Sequence, residues 1–136
     1  MYQTDNQRVG FERANSGVMK RDPQLFITDI YDSIVLIEKY IEGLSFEEFS
    51  QNSALLDAVV MRFAIIGEAA KNVSRNFKAE HKNIPWKYMC GFRDVIVHEY
   101  FGINAKKTWQ TAREDLPKLK SQIKAILDEI NKNKLF

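Results

Sequence analysis

Residues 91–102 carry the side chains best suited to chemistry, because polar groups interrupt an otherwise apolar stretch there. Arg93 offers a permanent positive charge with a forked set of N–H donors, which suits a phosphate group. His98 can take up or release a proton near neutral pH. Together these residue types predict phosphate binding combined with acid–base chemistry.

The spacing of these residues limits how they can meet. Five residues of an ideal α-helix turn through about 500°, so Arg93 and His98 lie about 140° apart and do not share a face. Asp94 and His98 do share one, and Arg93 aligns with Tyr100. A joint site therefore needs the reach of the arginine, fraying of the helix near Gly102, or a second copy of the helix, which a symmetric dimer would supply.

A purely structural interpretation of the same residues stays open at this point. Arg93 and Asp94 can form an ion pair, and His98 can be a hydrogen-bonded histidine at the end of a helix. Residue chemistry alone favours this interpretation, so a catalytic role has to be argued from a wider pattern.

Helical patterns surround this segment. Apolar residues recur at three- and four-residue steps between Leu25 and Ile41, which predicts a first helix that begins at Asp22-Pro23 and is ended by Gly43. The stretch Ser45–Glu48 has the pattern of a capping box and predicts a short helical turn.

Longer helices follow along the chain. Asn52-Ser53 predicts the cap of a helix that runs to about Phe77. Ile84–Trp86 predicts the start of a third helix, which continues to Tyr100 before Gly102 stops it.

A fourth helix is predicted to open at Asn104 or Lys106. Because proline lacks an amide hydrogen, Asp115–Pro117 is expected to cap a new segment or to kink this helix. No stretch alternates as a strand does, so we expect an all-α, up-and-down bundle of four to five helices. We assign residues 1–20 to an N-terminal arm and residues 21–136 to one helical domain.

Composition narrows the classes of protein further. The chain has 136 residues, a length that suits one domain, and its single cysteine, Cys90, excludes an internal disulfide framework and a cysteine-rich zinc site. The apolar runs are too short to span a bilayer, and the N-terminus lacks an apolar signal core, so we expect a cytoplasmic protein.

The net charge of +2 hides a segregation of charge along the chain. Residues 22–57 contain eight acidic residues against one lysine, a balance of −7, whereas residues 62–87 and 106–136 each carry a balance of +4. Such asymmetry can mark a surface that binds a polyanion, although solvated helix faces explain it more simply.

The pattern Arg93-x4-His98-x-Tyr100 resembles the signature of HEPN-domain proteins, especially the HepT-type toxins of MNT/HEPN toxin–antitoxin systems. Many members have Asn where this chain has Asp94, which would oppose a phosphate unless it pairs with Arg93 or orients His98. The resemblance covers about residues 19–130. Further stretches occur in the order that the family shows, namely Ile65–Ala70, Ile84–Trp86, His98–Gly102, Trp109 and Asp115–Pro117.

The resemblance implies a HEPN-like fold and a metal-independent endoribonuclease that needs no cofactor. His98 would act as general base on the ribose 2′-hydroxyl or as acid on the leaving oxygen. Arg93 would bind the scissile phosphate, and Asp94 would orient His98. The product would be a 2′,3′-cyclic phosphate. DNA would resist cleavage because it lacks the attacking 2′-hydroxyl.

The resemblance also implies partners. We expect a homodimer with a composite active site, an RNA substrate and a minimal nucleotidyltransferase as antitoxin. In this family such an antitoxin can attach AMP to the motif tyrosine, which is Tyr100 here, giving O-AMP-tyrosine. The surface formed by the basic stretches 62–87 and 106–136 would then face RNA. The surface formed by the acidic stretch 22–57 would face solvent or a partner. Two alternatives are a non-catalytic HEPN module that partners a nucleotidyltransferase and a helical adaptor whose motif is structural.

Several other residues have two interpretations. Glu68 lies among apolar residues, so we expect a buried carboxylate that either supports Arg93 or serves helix packing, the second being favoured. We expect His81 to be solvated and Cys90 to be a small core residue. Five aromatic residues could stack on bases but are more often core or dimer contacts. These five are Trp86, Tyr88, Phe92, Phe101 and Trp109.

Overall fold

The computed structural model describes residues 22–92 and 104–134. Within these two ranges the chain is mostly helical and contains no β-strand. This confirms the all-α prediction. The expected N-terminal arm, residues 1–20, lies outside the described residues, and so do residues 93–103.

Helix α1, Pro23–Ile41, confirms the first predicted helix. The Asp22 side chain accepts a hydrogen bond from the Gln24 amide at 2.9 Å, and proline occupies the first turn, where its missing amide hydrogen costs nothing. The chain leaves the helix at Gly43, whose φ of 76° falls in the left-handed region that favours glycine. The buried face of α1 is almost entirely isoleucine: Ile27, Ile30, Ile34, Ile37 and Ile41.

The short helix α2, Phe46–Ser50, begins with the predicted capping box. The Glu48 amide donates to the Ser45 hydroxyl at 3.1 Å, and the Ser45 amide donates to the Glu48 carboxylate at 2.9 Å. This pairing satisfies two amides that the helix itself leaves without partners. It fixes α2 so that Phe49 is fully buried.

Helix α3, Ser53–Asn72, begins where the sequence predicts but ends five residues earlier than Phe77. Val73 adopts an extended conformation, and the Ser74 hydroxyl accepts from the Phe77 amide at 3.2 Å to cap a separate helix α4, Arg75–Glu80. A serine side chain that binds a nearby amide competes with helix continuation, which explains the break.

Helix α5, Trp86–Cys90, is also shorter than predicted. It ends at Gly91, whose amide is shared between the carbonyls of Lys87 and Tyr88 at 3.2 and 3.1 Å. Helical structure resumes at Phe92, the last described residue of this range. The single helix expected from Trp86 to Tyr100 is therefore interrupted near its start, and its remainder lies outside the described residues.

The C-terminal part contains helix α6, Ala105–Gln110, a π-helical turn, Thr111–Asp115, and helix α7, Leu116–Lys134. The predicted disturbance near Asp115–Pro117 takes the form of this turn. Pro117 has no amide hydrogen to give to the preceding turn, and its ring would clash with the carbonyl four residues earlier. A wider π-helical turn relieves that conflict, and such turns are frequent at functional sites.

The core lies where α1 packs against α3 and α7, the three long helices. The described part of the chain thus forms a bundle of three long helices with four short ones, more pieces than the predicted four to five. The cap at Ser74, the end of α5 at Gly91 and the π-helical turn before Pro117 divide the predicted helices into these pieces. The largest fully buried side chains include Phe49, Phe63, Phe92, Met89 and Leu116. Among the described helices, none is both long and apolar enough to cross a bilayer.

The acidic first helix lies directly against the basic last one. Lys120 on α7 forms an ion pair with Glu38 on α1 at 2.8 Å, and Lys134 lies 3.9 Å from Asp22. The hydrogen bond to Glu38 raises the pKa of Lys120. Opposite charges therefore meet between these helices, so part of the positive charge of residues 106–136 is engaged within the molecule.

Candidate functional site

The residues predicted for catalysis and modification, Arg93, Asp94, His98 and Tyr100, lie outside the described residues. Their geometry and their roles stay predictions. The structure does describe the two ends that hold this segment, and it describes the surroundings of those ends.

The upstream end is fixed in the core through Phe92, which directly precedes Arg93. Phe92 is 2% exposed, and its ring packs edge-on against Phe63 of α3 with ring centroids 5.1 Å apart. A second edge-on contact, at 4.9 Å, joins it to Tyr88 of α5. Such aromatic pairs contribute about 0.5–1.5 kcal/mol beyond the area they bury. The chain thus enters the candidate segment from a rigid point.

The downstream end is held by Asn104, the first described residue after the gap. Its side-chain oxygen accepts from the Lys107 amide at 2.9 Å and caps α6. Its backbone carbonyl accepts from the hydroxyl of the fully buried Thr108 at 2.8 Å. Trp109 then packs against Phe49 at 5.1 Å between ring centroids. The described residues on either side of 93–103 are thus a buried ring, Phe92, and the residue that caps a helix, Asn104.

Glu68 does not have the buried position that the sequence suggested. The neighbouring Ile66, Gly67, Ala69 and Ala70 are buried, whereas Glu68 is exposed on the outward side of α3. The prediction overlooked that a helix turns successive residues by about 100°, so one residue inside an apolar stretch can still point to solvent. Whether Glu68 supports Arg93 stays a prediction.

His81 also departs from expectation, because it is half-buried rather than solvated. Its ring lies 4.5 Å from that of Phe77, and its carbonyl accepts a hydrogen bond from the Trp86 indole at 2.9 Å. These contacts close the loop between α4 and α5. Cys90 is half-buried and packs against the core, much as expected.

Of the aromatic residues that could stack on bases, Tyr88 keeps the most accessible ring among those described. Trp86 and Phe92 are buried, and Trp109 is half-buried against Phe46 and Phe49, as core packing would require. Tyr88 is 40% exposed. The core interpretation therefore fits most of this set and leaves Tyr88 as the exception.

Tyr88 lines a cavity of about 270 Å³ between α5 and the start of α7. Its hydroxyl donates a hydrogen bond to the carboxylate of Asp115, in the π-helical turn. Burial, followed by this hydrogen bond and the negative charge of Asp115, raises the pKa of Tyr88 to about 12. The phenol therefore stays neutral, and remains a hydrogen-bond donor, throughout the physiological range.

Sequence reasoning considered Tyr88 and Asp115 separately and missed their pairing. The two residues are 27 positions apart, so no local pattern joins them. The available signal was Pro117, because a proline inside a helical pattern marks a place where the backbone must depart from the α-helix. An acidic residue at such a place is a candidate for contact with another element.

A second, wider hollow of about 600 Å³ lies beside the same turn, between the end of α1 and the start of α7. Arg113 lines it, and the guanidinium lies 5.4 Å from the ring centroid of Trp109, a cation–π contact. Acidic and basic side chains alternate along this wall, including Glu38, Lys39 and Glu42. Within residues 22–92 and 104–134, no group of three or more His, Cys, Asp or Glu side chains could hold a metal ion.

Comparison with known proteins gives a consistent result. Residues 30–126 match the family described as Ribonuclease HepT-like. The "Gamma-glutamylcyclotransferase and putative RNase" of Methanocaldococcus jannaschii is 39% identical over 116 residues, 85% of this chain and 52% of that relative. The chain thus spans about half the length of that protein.

Two shorter relatives match over nearly their whole length. The "Probable ribonuclease HepT" of Thermococcus cleftensis is 38% identical over 108 residues, which are 79% of this chain and 98% of the relative. The "Putative RNase" of Caldanaerobacter subterraneus subsp. tengcongensis is 36% identical over 109 residues, 80% of this chain and 97% of the relative. No solved structure matches the chain.

Proposed function

Because the chain belongs to the HepT-like ribonuclease family, we propose that it is an endoribonuclease that cleaves RNA without a metal ion. The observation that carries this proposal is the family match over residues 30–126, which includes the whole Arg93-x4-His98-x-Tyr100 pattern. The packed residues on both sides of that pattern support it, since catalytic groups need a rigid frame.

In the proposed reaction, the 2′-hydroxyl of the substrate attacks the adjacent phosphorus. His98 acts as general base on that hydroxyl or as general acid on the leaving 5′-oxygen. Arg93 binds the phosphate and stabilises the charge that develops on its oxygens, while Asp94 orients His98. The P–O5′ bond breaks, so the products are a 2′,3′-cyclic phosphate and a 5′-hydroxyl, and no metal is required.

We place the active site at a homodimer interface. On one ideal helix Arg93 and His98 face directions about 140° apart, and a two-fold axis would bring Arg93 of each chain toward His98 of the other. We further propose that the protein is the toxin of a type VII-like toxin–antitoxin pair. Its antitoxin would be a nucleotidyltransferase of the MNT type that attaches AMP to Tyr100. The added bulk and negative charge beside Arg93 would exclude an RNA phosphate.

Replacement of the candidate base tests the reaction. His98→Ala is expected to lower RNA cleavage by at least about 100-fold, since general acid–base catalysis contributes about 10²–10⁴-fold. The assay measures cleavage of a 3′-labelled RNA in the presence of EDTA, with a DNA of the same sequence as the uncleaved reference. His81→Ala is the matched control, because His81 is the other histidine of the chain and packs against Phe77.

Circular dichroism and sedimentation of both variants separate chemistry from folding and dimer formation. Cleavage that persists in a well-folded His98→Ala protein would contradict the proposed role. Loss of activity in EDTA, restored by a divalent cation, would contradict metal independence.

The negative charge of Asp94, next to the phosphate-binding arginine, favours one alternative, a non-catalytic module that binds a nucleotidyltransferase. That alternative predicts modification of Tyr100 without cleavage by the unmodified protein. Mass spectrometry after incubation with ATP and a nucleotidyltransferase of the MNT type detects the AMP increment. An increment accompanied by loss of cleavage supports the toxin, whereas an increment on a protein that never cleaves supports the module.

A further inference from the structure

A small mixed-polarity cavity lies close to the point where the chain enters the candidate active segment. Tyr88, Asp115, Lys118 and Gln122 line it, and its volume of about 270 Å³ is just below that of pockets for drug-sized ligands, about 300–1,000 Å³. A single planar ring system is therefore a better match in size than a whole nucleotide. Tyr88 lies five residues before Arg93, and the ring of Phe92 packs against it.

The charges around the cavity favour a base over a phosphate. Glu114 and Asp115 both line it, and two neighbouring carboxylates repel a phosphate group. A carboxylate accepts hydrogen bonds and has about four lone-pair positions on its two oxygens. One oxygen of Asp115 already accepts from the Tyr88 hydroxyl, which holds the carboxylate in place for further donors.

Among the four RNA bases, guanine has the edge that best complements this lining. Its Watson–Crick edge presents two adjacent N–H donors, at N1 and N2, followed by the O6 acceptor. The donors match the carboxylate of Asp115, and the ammonium of Lys118 is a donor for O6. Adenine and cytosine each place a ring-nitrogen acceptor beside their amino group, and uracil offers one N–H between two carbonyls. A carboxylate would repel those neighbouring acceptors.

The exposed ring of Tyr88 gives the cavity an aromatic wall. Unpaired RNA bases commonly stack on such rings while their edges form hydrogen bonds. The side-chain amide of Gln122 donates to the Asn83 carbonyl at 3.0 Å, which fixes the opposite side of the cavity. Its walls are thus set by contacts between α5, the loop before it and α7.

We propose that this cavity binds one unpaired guanine of the RNA substrate, close to the phosphate that is cleaved. The inference rests on the proposed ribonuclease function for its substrate class. Recognition itself uses residues of the described part of the chain only. It therefore makes its own prediction about binding, independent of catalysis.

Binding to uncleavable RNA tests the inference. The probes are four fluorescent 2′-O-methyl pentanucleotides of uridine whose central base is G, A, C or U, titrated by anisotropy with the full chain. We expect the G probe to bind about tenfold or more tightly than the other three, the discrimination typical of a paired base contact. Equal binding of all four probes, or binding of none, would overturn the proposal.

Asp115→Asn locates the site, because the amide keeps the volume and an acceptor for Tyr88 but presents a donor to guanine. It is expected to abolish the preference for G. Asp128→Asn, an exposed acid that pairs with Lys124 on the same helix, is the matched control and should retain it. Lys118→Ala, at an exposed position, provides a second variant. It should reduce the ratio of the affinity for the G probe to the affinity for the A probe. Preference for G that survives both variants at the cavity would overturn the assignment.

The design separates this inference from the proposed reaction. Methylated probes cannot be cleaved, so the difference in affinity between the G probe and the other three reports on base recognition and not on the reaction of His98. Cleavage of RNA without any preference for G would overturn the guanine site and leave the ribonuclease standing. Selective binding of the G probe by a protein that does not cleave would support the site and contradict the reaction.

Discussion

At the scale of single residues, the contact between Tyr88 and Asp115 joins two elements through one hydrogen bond. The folded state holds the Tyr88 proton more tightly than the unfolded state, where a tyrosine has a pKa of about 10. The pKa of Tyr88 is raised to about 12 in the fold. The stabilisation is therefore complete below about pH 10 and is lost as the pH rises from about 10 to about 12.

This linkage predicts a specific effect of Tyr88→Phe. Between about pH 9 and 12 the free energy of unfolding of the wild type should fall more steeply than that of the variant. The difference is expected to be about 1 kcal/mol or less, because solvent screens a side chain that is 40% exposed. Urea unfolding followed at several pH values measures it. Tyr40→Phe on α1 is the control, and parallel curves for wild type and Tyr88→Phe would contradict the prediction.

At the scale of elements, side-chain caps explain both the correct and the incorrect helix boundaries. The caps at Ser45–Glu48 and at Asn52 could be predicted from their residue types, and Asn104 is one of two predicted starts. All three caps form. Ser74 lies between Val73 and Phe77, two apolar residues four positions apart, so periodicity alone predicts that the helix continues across it. The Ser74 hydroxyl competes with the helix backbone for the Phe77 amide, and Val73, at the break, is buried.

Ser74→Ala tests this account of the break between α3 and α4. Loss of the bond from the Phe77 amide, 3.2 Å long, is expected to lower the free energy of unfolding by about 1 kcal/mol. Ser74→Asp should restore most of it, since aspartate caps equally well. Ser121→Ala is the control, because that exposed hydroxyl makes only a long contact of 3.4 Å with the Pro117 carbonyl. A Ser74→Ala protein as stable as the wild type in urea would contradict the account.

The Tyr88–Asp115 pairing shows why the candidate site was harder to predict than the helices. Periodicity and capping act over a few residues, and they located α1, α2 and the start of α3. Contacts between distant elements depend on the angle at which helices cross, and no local sequence pattern gives that angle. The exposure of Glu68 depends in the same way on tertiary packing, because the other helices cover the side of α3 that carries Ile66 and Ala70 and leave Glu68 in solvent.

At the scale of the whole molecule, the lysines of the basic stretch 106–136 have two different surroundings. Lys120 is engaged with Glu38 of α1 at 2.8 Å, so its charge is already balanced within the fold. Lys106 is exposed on α6, two residues after the Asn104 that closes the candidate segment. Position along the chain alone placed both lysines in one basic stretch. The fold instead pairs Lys120 with Glu38 and leaves Lys106 exposed, with no ion pair to an acidic side chain among the described residues.

Charge reversal separates these two roles. Contacts with phosphates release counterions, and the logarithm of affinity falls with the logarithm of salt concentration by about 0.7 for each contact with a single strand. Lys106→Glu is expected to reduce this slope by about 0.7 or more, with weaker binding at every salt concentration.

Lys120→Glu should lower the unfolding free energy and leave the slope nearly unchanged. Lys39→Glu, within the acidic first helix, should change the slope less than Lys106→Glu does. Anisotropy titrations of one 2′-O-methyl RNA at several salt concentrations give these slopes, and equal reductions for Lys39→Glu and Lys106→Glu would contradict the assignment of the basic surface to RNA.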